Sequence, residues 1–428
     1  MHSVLIVGGG ARSHALGEAL RASPTVGRVV FAPGTSGLEQ LGFETAPVAS
    51  QDYAGLVELA LMEEFDLTVI GPNTPLVGGI VDLFEAEDLP VFGPCGAAAK
   101  LEGSKSFARH LMNQLRIPTP KYAVCDTFER AVHLARSARW ARVFKVDGLA
   151  YTRGVRVVDR FHDVEGALEE ILIDNVYGQA SGRIVVEERL EGLEVTVFAL
   201  SDGEHVEVLG YVRNHPRLRD GGQGPPTRSM GQVSPAPEVT AALREAVRAD
   251  ILEPTVCAMK RRGTPLRGAF FVDLMLVEGR PIVIDYNVRF GDPATQTLLS
   301  AYSGDFYAVL QACRGQGQLA EAVASLTCDP RPRVSLVMVC EGYPERFVRG
   351  AEISIELGRF ESAPDLWLFE DGVRCVRFDP IAPPRLETTG GRTYTIVAAA
   401  ETEDAARARA YEAADWVKFE GMHYRGDI

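Results

Sequence analysis

Val4-Leu5-Ile6-Val7-Gly8-Gly9-Gly10-Ala11-Arg12-Ser13-His14-Ala15-Leu16-Gly17-Glu18-Ala19-Leu20 reads as a buried strand, a glycine turn and a helix. Arg28-Val29-Val30-Phe31-Ala32 before Pro33-Gly34, and Leu67-Thr68-Val69-Ile70 before Gly71-Pro72-Asn73, repeat the strand-then-turn pattern. Strands alternating with helical stretches from Val4 to Phe92 predict a doubly wound parallel sheet, whose ligands bind beyond the carboxyl ends of the strands. Gly8 to Gly10, Pro33-Gly34 and Gly71 to Asn73 would then share one edge.

The rest of the chain is consistent with a globular, multidomain protein. Of 428 residues 46% are apolar, and the net charge is −14, from 44 Lys+Arg against 58 Asp+Glu. That acidity argues against a nucleic-acid partner, which would call for clustered Lys and Arg. Seven scattered cysteines without a CxxC pair suggest neither a disulfide framework nor a zinc site, and fit a reducing cytoplasm. No apolar run approaches the length of a membrane span. Nothing specifies oligomeric state beyond a monomer or small homo-oligomer.

Beyond the hinge-like Ile117-Pro118-Thr119-Pro120, the run Val143-Phe144-Lys145-Val146, the turn Asp147 to Gly154 and Val155-Arg156-Val157-Val158 predict a strand, a glycine-containing loop and a strand. A lysine at the end of an apolar strand can hold a nucleotide phosphate, although alone it is more often a solvated charge. Glu187 to Glu194 places acids on both sides of a turn, where backbone near Leu190 could meet an adenine edge and Glu194 a ribose. Asp273 and Asp285-Tyr286-Asn287 put oxygen donors on two strands that otherwise read as buried, a pattern suited to magnesium. The stretch Asn214 to Pro237, rich in Pro and Gly, is expected to be a long functional loop. The last hundred or so residues read as a strand-rich cap with a helix near Ala405 to Ala414.

Together these segments resemble the glycinamide ribonucleotide synthetase (phosphoribosylamine–glycine ligase) family of the ATP-grasp superfamily. The family's GNGGREHAL is similar to Gly8 to Leu16, PGNAG to Pro33-Gly34-Thr35-Ser36-Gly37, GPEAPL to Gly71 to Leu76 and LEGSK to Leu101 to Lys105. IKADGLAAGKGV resembles Phe144 to Val155, and EFNCRFGDPETQ resembles Asp285 to Gln296. The resemblance implies an α/β ATP-grasp fold with an N-terminal doubly wound parallel-sheet domain (1–100), a hinge and mobile lid (101–186), a catalytic core (187–328) and a small C-terminal α+β cap (329–428). It implies ATP and magnesium (or manganese). Lys105 and Lys145 would hold phosphates, and Glu187, Leu190 and Glu194 the nucleoside. Asp273, Asp285 and Asn287 would hold the metal, with Arg289, Arg153 and Asp292 acting in catalysis. Substrates would meet Gly8, Gly10, Arg12, His14, Pro33, Gly34, Asn73, Asn214, Asp220, Arg228 and Gly291.

The departures from the family pattern gather at substrate positions. The loop DHKRVGDKDTGPNTGGMG becomes Asn214 to Gly231: two acids become Asn214 and Gly222, while Arg219 and Arg228 replace glycines. Asn73 and Ser13 replace glutamates, and the lid's glycine-lysine pair becomes Thr152-Arg153. The resulting expectation is a carboxylate–amine ligase working through an acyl phosphate, with an altered acid or amine and a place in specialised metabolism. The alternatives are the ordinary purine-synthesis enzyme and a non-catalytic nucleotide-binding regulator. A dehydrogenase is disfavoured because Ser13 stands at the third glycine of GxGxxG.

Overall fold

The computed structural model describes residues 1–428 apart from 151–153, 159–161, 175, 177–181 and 378–383. The N-terminal sheet is parallel, in the order Glu44–Thr45, Val26–Pro33, His2–Gly8, Leu67–Ile70, Val91–Phe92. His2–Gly8 and Leu67–Ile70 lie side by side although two strands separate them in sequence, so the order of the sheet reverses there and a crevice opens at their carboxyl ends. Gly8 pairs with Pro33 and Val7 with Ile70, which puts the three predicted turns on one edge. Gly8 has φ 131°, a conformation that favours glycine, and a side chain on Gly9 would lie 2.6 Å from the Gly34 carbonyl oxygen.

A four-stranded antiparallel sheet follows, ordered Tyr122–Cys125, Ile184–Glu188, Ala141–Val146, Val155–Val157. The largest sheet is antiparallel and eight-stranded: Arg280–Asn287, Arg267–Val277, Leu193–Asp202, Val206–Asn214, Gly231–Ser234, Arg333–Val339, Arg392–Ala399, Leu366–Glu370. It runs without a break from the 187–328 segment into the 329–428 segment, because Gly231–Ser234 pairs with Arg333–Val339. A further four-stranded sheet and the helix Glu403–Ala414 complete the C-terminal part.

The stretch expected to be a long loop is ordered instead. Arg217–Arg219 and Gln223–Pro226 form a hairpin, and Gly231–Ser234 enters the large sheet. Its prolines and glycines mark the turns between short strands, so they signalled chain reversals and not missing structure.

One continuous apolar cluster joins Leu5, Val7 and Ile70 of the N-terminal sheet to Val195, Phe270 and Val283 of the large sheet. Phe290 is fully buried and stacks on Phe92 and Phe198, with ring centroids 5.5 and 5.7 Å apart. That packing fixes the backbone on either side of it, Arg289 included.

The N-terminal unit also meets the C-terminal one. The Glu370 N–H donates to His14 Nδ1 at 3.0 Å, and Thr35 Oγ1 donates to Glu370 at 2.6 Å. Burial, helped by the neighbouring Asp371, lifts the Glu370 carboxyl from 4.5 to about 7. Because the folded form holds this proton more tightly than the unfolded chain, the penalty is absent below pH 4.5, grows to about pH 7 and stays constant above it. Glu370→Gln keeps the acceptor for Thr35 and removes the charge. Its Tm should therefore exceed that of the wild type by several degrees at pH 8 and match it near pH 4.5. A pH-independent difference in thermal scans would refute this.

Candidate functional site

Strand pairing alone assembles the acidic part of the site. Asp273 and Asp285 face each other across Arg267–Val277 and Arg280–Asn287, and Asn287 Nδ2 donates to Asp273 Oδ2 at 3.1 Å. Thr196, opposite Asp273 on the next strand, hydrogen-bonds the same carboxylate. Burial, together with the like charge of Asp285, raises the Asp273 carboxyl to about 6. Two carboxylates and an amide oxygen on adjacent strands form a donor set suited to a hard divalent cation, which would relieve that repulsion. Among the described residues no group of three or more His, Cys, Asp or Glu is arranged to hold a metal.

Cations close on these acids from the helix Lys105–Leu115 and the strand Ala141–Val146. Lys105 Nζ donates to both oxygens of Asp285. Lys145, 8% exposed, donates to the Ile284 carbonyl at 2.8 Å and lies 3.0 Å from Glu187. Burial resists charge on Asp285, yet Lys105 and then Lys145 hold its carboxyl below the usual range.

Glu187, expected at the nucleoside, is enclosed between the helix Lys105–Leu115 and the strand Ala141–Val146. It is 2% exposed, and both its oxygens are occupied: Arg109 at 2.6 Å and Lys145 at 3.0 Å. Burial opposes its ionisation, but Lys145 and Arg109 prevail and keep it charged. It holds the Lys145 ammonium in place beside the Ile284 carbonyl. Arg109, which sequence reasoning missed, also donates to the carbonyls of Val283 and Ile284 at 2.8 and 2.7 Å, tying helix to strand. Its place four residues after Lys105, on the same helix face, was the available signal.

Leu190 lies in the connection between Ile184–Glu188 and Leu193–Asp202. Glu194 is near Asp273, and burial, with that like charge, lifts its carboxyl to about 8. Arg153 lies outside the described residues.

Arg289 links this cluster to the N-terminal edge. Its Nε donates to Glu102 at 3.0 Å, and Asn73 donates to the same carboxylate oxygen at 2.8 Å. Glu102 also accepts from the Val288 N–H at 3.0 Å, so one buried acid orients the whole turn. Arg12 and Arg289 both donate to the Phe290 carbonyl, each at 3.2 Å. Gly10 sits against Asp371, where a side chain would come within 2.4 Å of its carboxylate, and Gly291 is packed against Ala294. Asp292 is bound by Arg392 and Gln296, which makes it a support for this edge. Arg392 and Asp371, distant in sequence, were not anticipated.

Three predicted substrate contacts are engaged elsewhere. His14 is buried, with Nδ1 accepting from Glu370 and Nε2 3.4 Å from Glu18. Asn214 is held inside the large sheet by Thr196, at 2.5 Å, and Gln232, at 2.6 Å. Asp220 is exposed and accepts from the Gly426 N–H at 2.8 Å, while Asp427 accepts from the Gly221 N–H at 2.7 Å. Those contacts pin the hairpin to the Arg425–Ile428 segment. A separate cavity of about 740 Å³, lined by His14, Glu18, Trp367, Glu370 and Tyr394 among others, lies between the N- and C-terminal units.

Three domains of one known family match the chain in order. The N domain of phosphoribosylglycinamide synthetase matches residues 2–102, its ATP-grasp (A) domain 103–295 and its C domain 333–428. The chain belongs to this family. Phosphoribosylamine–glycine ligase of Caldanaerobacter subterraneus is 33% identical over 425 residues, covering 99% of each chain. That of Allochromatium vinosum is 37% identical over 429 residues, covering 99% of this chain and 97% of the other. The crystal structure of the Thermotoga maritima phosphoribosylamine–glycine ligase superposes with a TM-score of 0.81 at 30% identity over the full length of both chains. The biotin carboxylase domain of Hydrogenobacter thermophilus 2-oxoglutarate carboxylase, solved with MgADP, shares the fold, with a TM-score of 0.74 at 15% identity over 99% of this chain and 91% of that one. This member of the phosphoribosylglycinamide synthetase family is therefore an ATP-grasp ligase. No helix among its described residues is long and apolar enough to cross a membrane.

Proposed function

We propose that this chain joins glycine to phosphoribosylamine at the expense of ATP, the ordinary reaction of its relatives, and not a repurposed ligation. The observation that carries the reading is the convergence of two clusters on Arg289. On one side are Lys105, Lys145, Asp273, Asp285 and Asn287, suited to a metal-bound triphosphate; on the other are Arg12 and Asn73 at the N-terminal crevice. A carboxylate held between them would receive the γ-phosphate, which turns a poor electrophile into an acyl phosphate. The amine from the crevice would then displace phosphate to form the amide, leaving ADP and phosphate. Arg289 would offset charge on the transferring group. Magnesium held by Asp273, Asp285 and Asn287 would supply charge neutralisation at the phosphate oxygens.

The expectation of an altered acid loses most of its basis. Asn214 is part of the sheet interior, and Arg219 and Gly222 lie exposed on the hairpin. Three of the four charge-altering departures singled out above in that segment therefore concern scaffold or surface. The test is ADP release by the purified protein with Mg-ATP, glycine and phosphoribosylamine generated in situ, with the product mass recorded. Glycinamide ribonucleotide should form only when all three are present. Its absence from a preparation that binds ATP would overturn the reading and return attention to other acids and amines.

A further inference from the structure

The cavity of about 740 Å³ between the N- and C-terminal units lies apart from the clusters of the reaction proposed above. Its walls come from the helix Ala11–Arg21, the short helices Ser36–Gln40 and Leu357–Glu361, residues 299–303, and the strands Leu366–Glu370 and Arg392–Ala399. None of Arg12, Asn73, Lys105, Lys145, Asp285 and Arg289 lines it. Cavities of roughly 300 to 1,000 Å³ are the size that encloses a small organic molecule.

Two buried polar side chains in the lining are incompletely bonded. Glu370 and Tyr394 stand opposite each other on neighbouring antiparallel strands, so their side chains share one face of the sheet. Each is 4% exposed. Glu370 Oε1 accepts from Thr35 at 2.6 Å, whereas Oε2 has no hydrogen-bond or ionic partner among the described residues, and neither has the Tyr394 hydroxyl. Gly37, itself part of the lining, leaves the space that the carboxylate occupies: a side chain there would collide with both oxygens. Groups so deeply buried are normally paired, and here the polar end of a ligand would complete the pairing.

The charge of the lining fixes the sign of that end. Glu18, Glu361 and Glu370 contribute to it against one arginine, Arg21. Arg21 donates to Glu18 at 2.5 Å and to the Leu41 carbonyl at 3.2 Å, and His14 Nε2 lies 3.4 Å from the same Glu18. Those three groups satisfy one another, which leaves Glu370 with the open oxygen. Burial, helped by Asp371, holds the Glu370 carboxyl at about 7, a cost that a bound cation would remove. A metal ion fits less well than an organic cation, because among the described residues no group of three or more His, Cys, Asp or Glu is arranged to hold one. Leu41, Leu299, Leu357, Phe360 and Leu366 supply an apolar wall, and Leu357 is 38% exposed.

We infer that this cavity is a second ligand site, which takes a small organic ammonium ion with an apolar or aromatic body. The ammonium group donates to Glu370 Oε2 and to the Tyr394 hydroxyl, and the body lies against the leucine and phenylalanine wall. An occupant would tie the N-terminal unit to the C-terminal one, next to Asp371 and the Gly10 turn that it abuts. The site does not depend on which acid and amine the enzyme joins.

The test uses the full chain in calorimetry at pH 8, where Glu370 is ionised, with 2-phenylethylammonium as the probe and 2-phenylethanol as its uncharged counterpart. The ammonium should bind the wild type with a Kd of about a millimolar or tighter, as its size allows, and the alcohol at least about tenfold more weakly. Glu370→Gln keeps the Thr35 bond and should weaken the ammonium about ten- to a hundredfold while leaving the alcohol nearly unchanged. Tyr394→Phe breaks no hydrogen bond of the free protein and should weaken the ammonium about two- to tenfold. Saturating Mg-ATP with glycine should leave the ammonium's affinity intact. No binding of the ammonium to the wild type, equal binding of the alcohol, unchanged affinity in either variant, or displacement by Mg-ATP with glycine would each overturn the inference.

Discussion

Lys145→Ala is expected to lower turnover about a hundred- to a thousandfold, the scale of losing one preorganised charge donor in phosphoryl or acyl transfer. The ammonium is buried, directed by the Ile284 carbonyl and Glu187, and set beside the acids of the metal-type cluster. Removing it also leaves Glu187 with Arg109 as its remaining cationic partner, which costs stability. The variant Lys145→Met separates the two effects. It keeps the buried stem packed and Glu187 paired with Arg109, so its Tm should stay closer to that of the wild type than that of Lys145→Ala does, while kcat stays low and ATP affinity weak. Near-normal turnover in either variant would place the phosphates elsewhere.

Asp285→Asn should shift the magnesium dependence instead. With the carboxylate gone, the concentration of magnesium giving half-maximal ADP release is expected to rise about 10- to 100-fold. Lys105 would lose its partner, and its charge, with that of Lys145, would face the triphosphate unneutralised. ATP binding measured in a metal chelator should accordingly hold steady or tighten, even as the metal-dependent rate falls. An unchanged magnesium requirement would move the metal off the Asp273–Asp285 pair.

What could be read before folding was local. The apolar runs Val4 to Val7 and Leu67 to Ile70, each ending in glycine, define parallel strands because a strand buried on both faces must be apolar throughout and must then turn sharply. The Asp285 to Asn287 run was readable for the converse reason: polar groups on an otherwise buried strand carry a desolvation cost that needs a partner, and a second such strand at Asp273 pointed to a shared one. Lys145 followed from its place on such a strand.

The remainder required tertiary structure, because it depends on which distant groups share a low-dielectric space. Sequence spacing could not show that Glu187 is saturated by Arg109 and Lys145, or that Asp220 faces the Gly426 backbone. Nor could it bring Arg392 and Asp371 beside Gly10 and Arg12, since that meeting is made by an eight-stranded sheet that carries the C-terminal segment back to the N-terminal crevice. The sequence by itself determined that Asp273, Asp285 and Asn287 lie on strands and that Lys145 lies near the end of another, because strand formation follows the local apolar pattern. Only the tertiary structure decided which substitutions enter the pocket, since a side chain's effect on a ligand follows Coulombic distance and burial, and neither is a function of position along the chain.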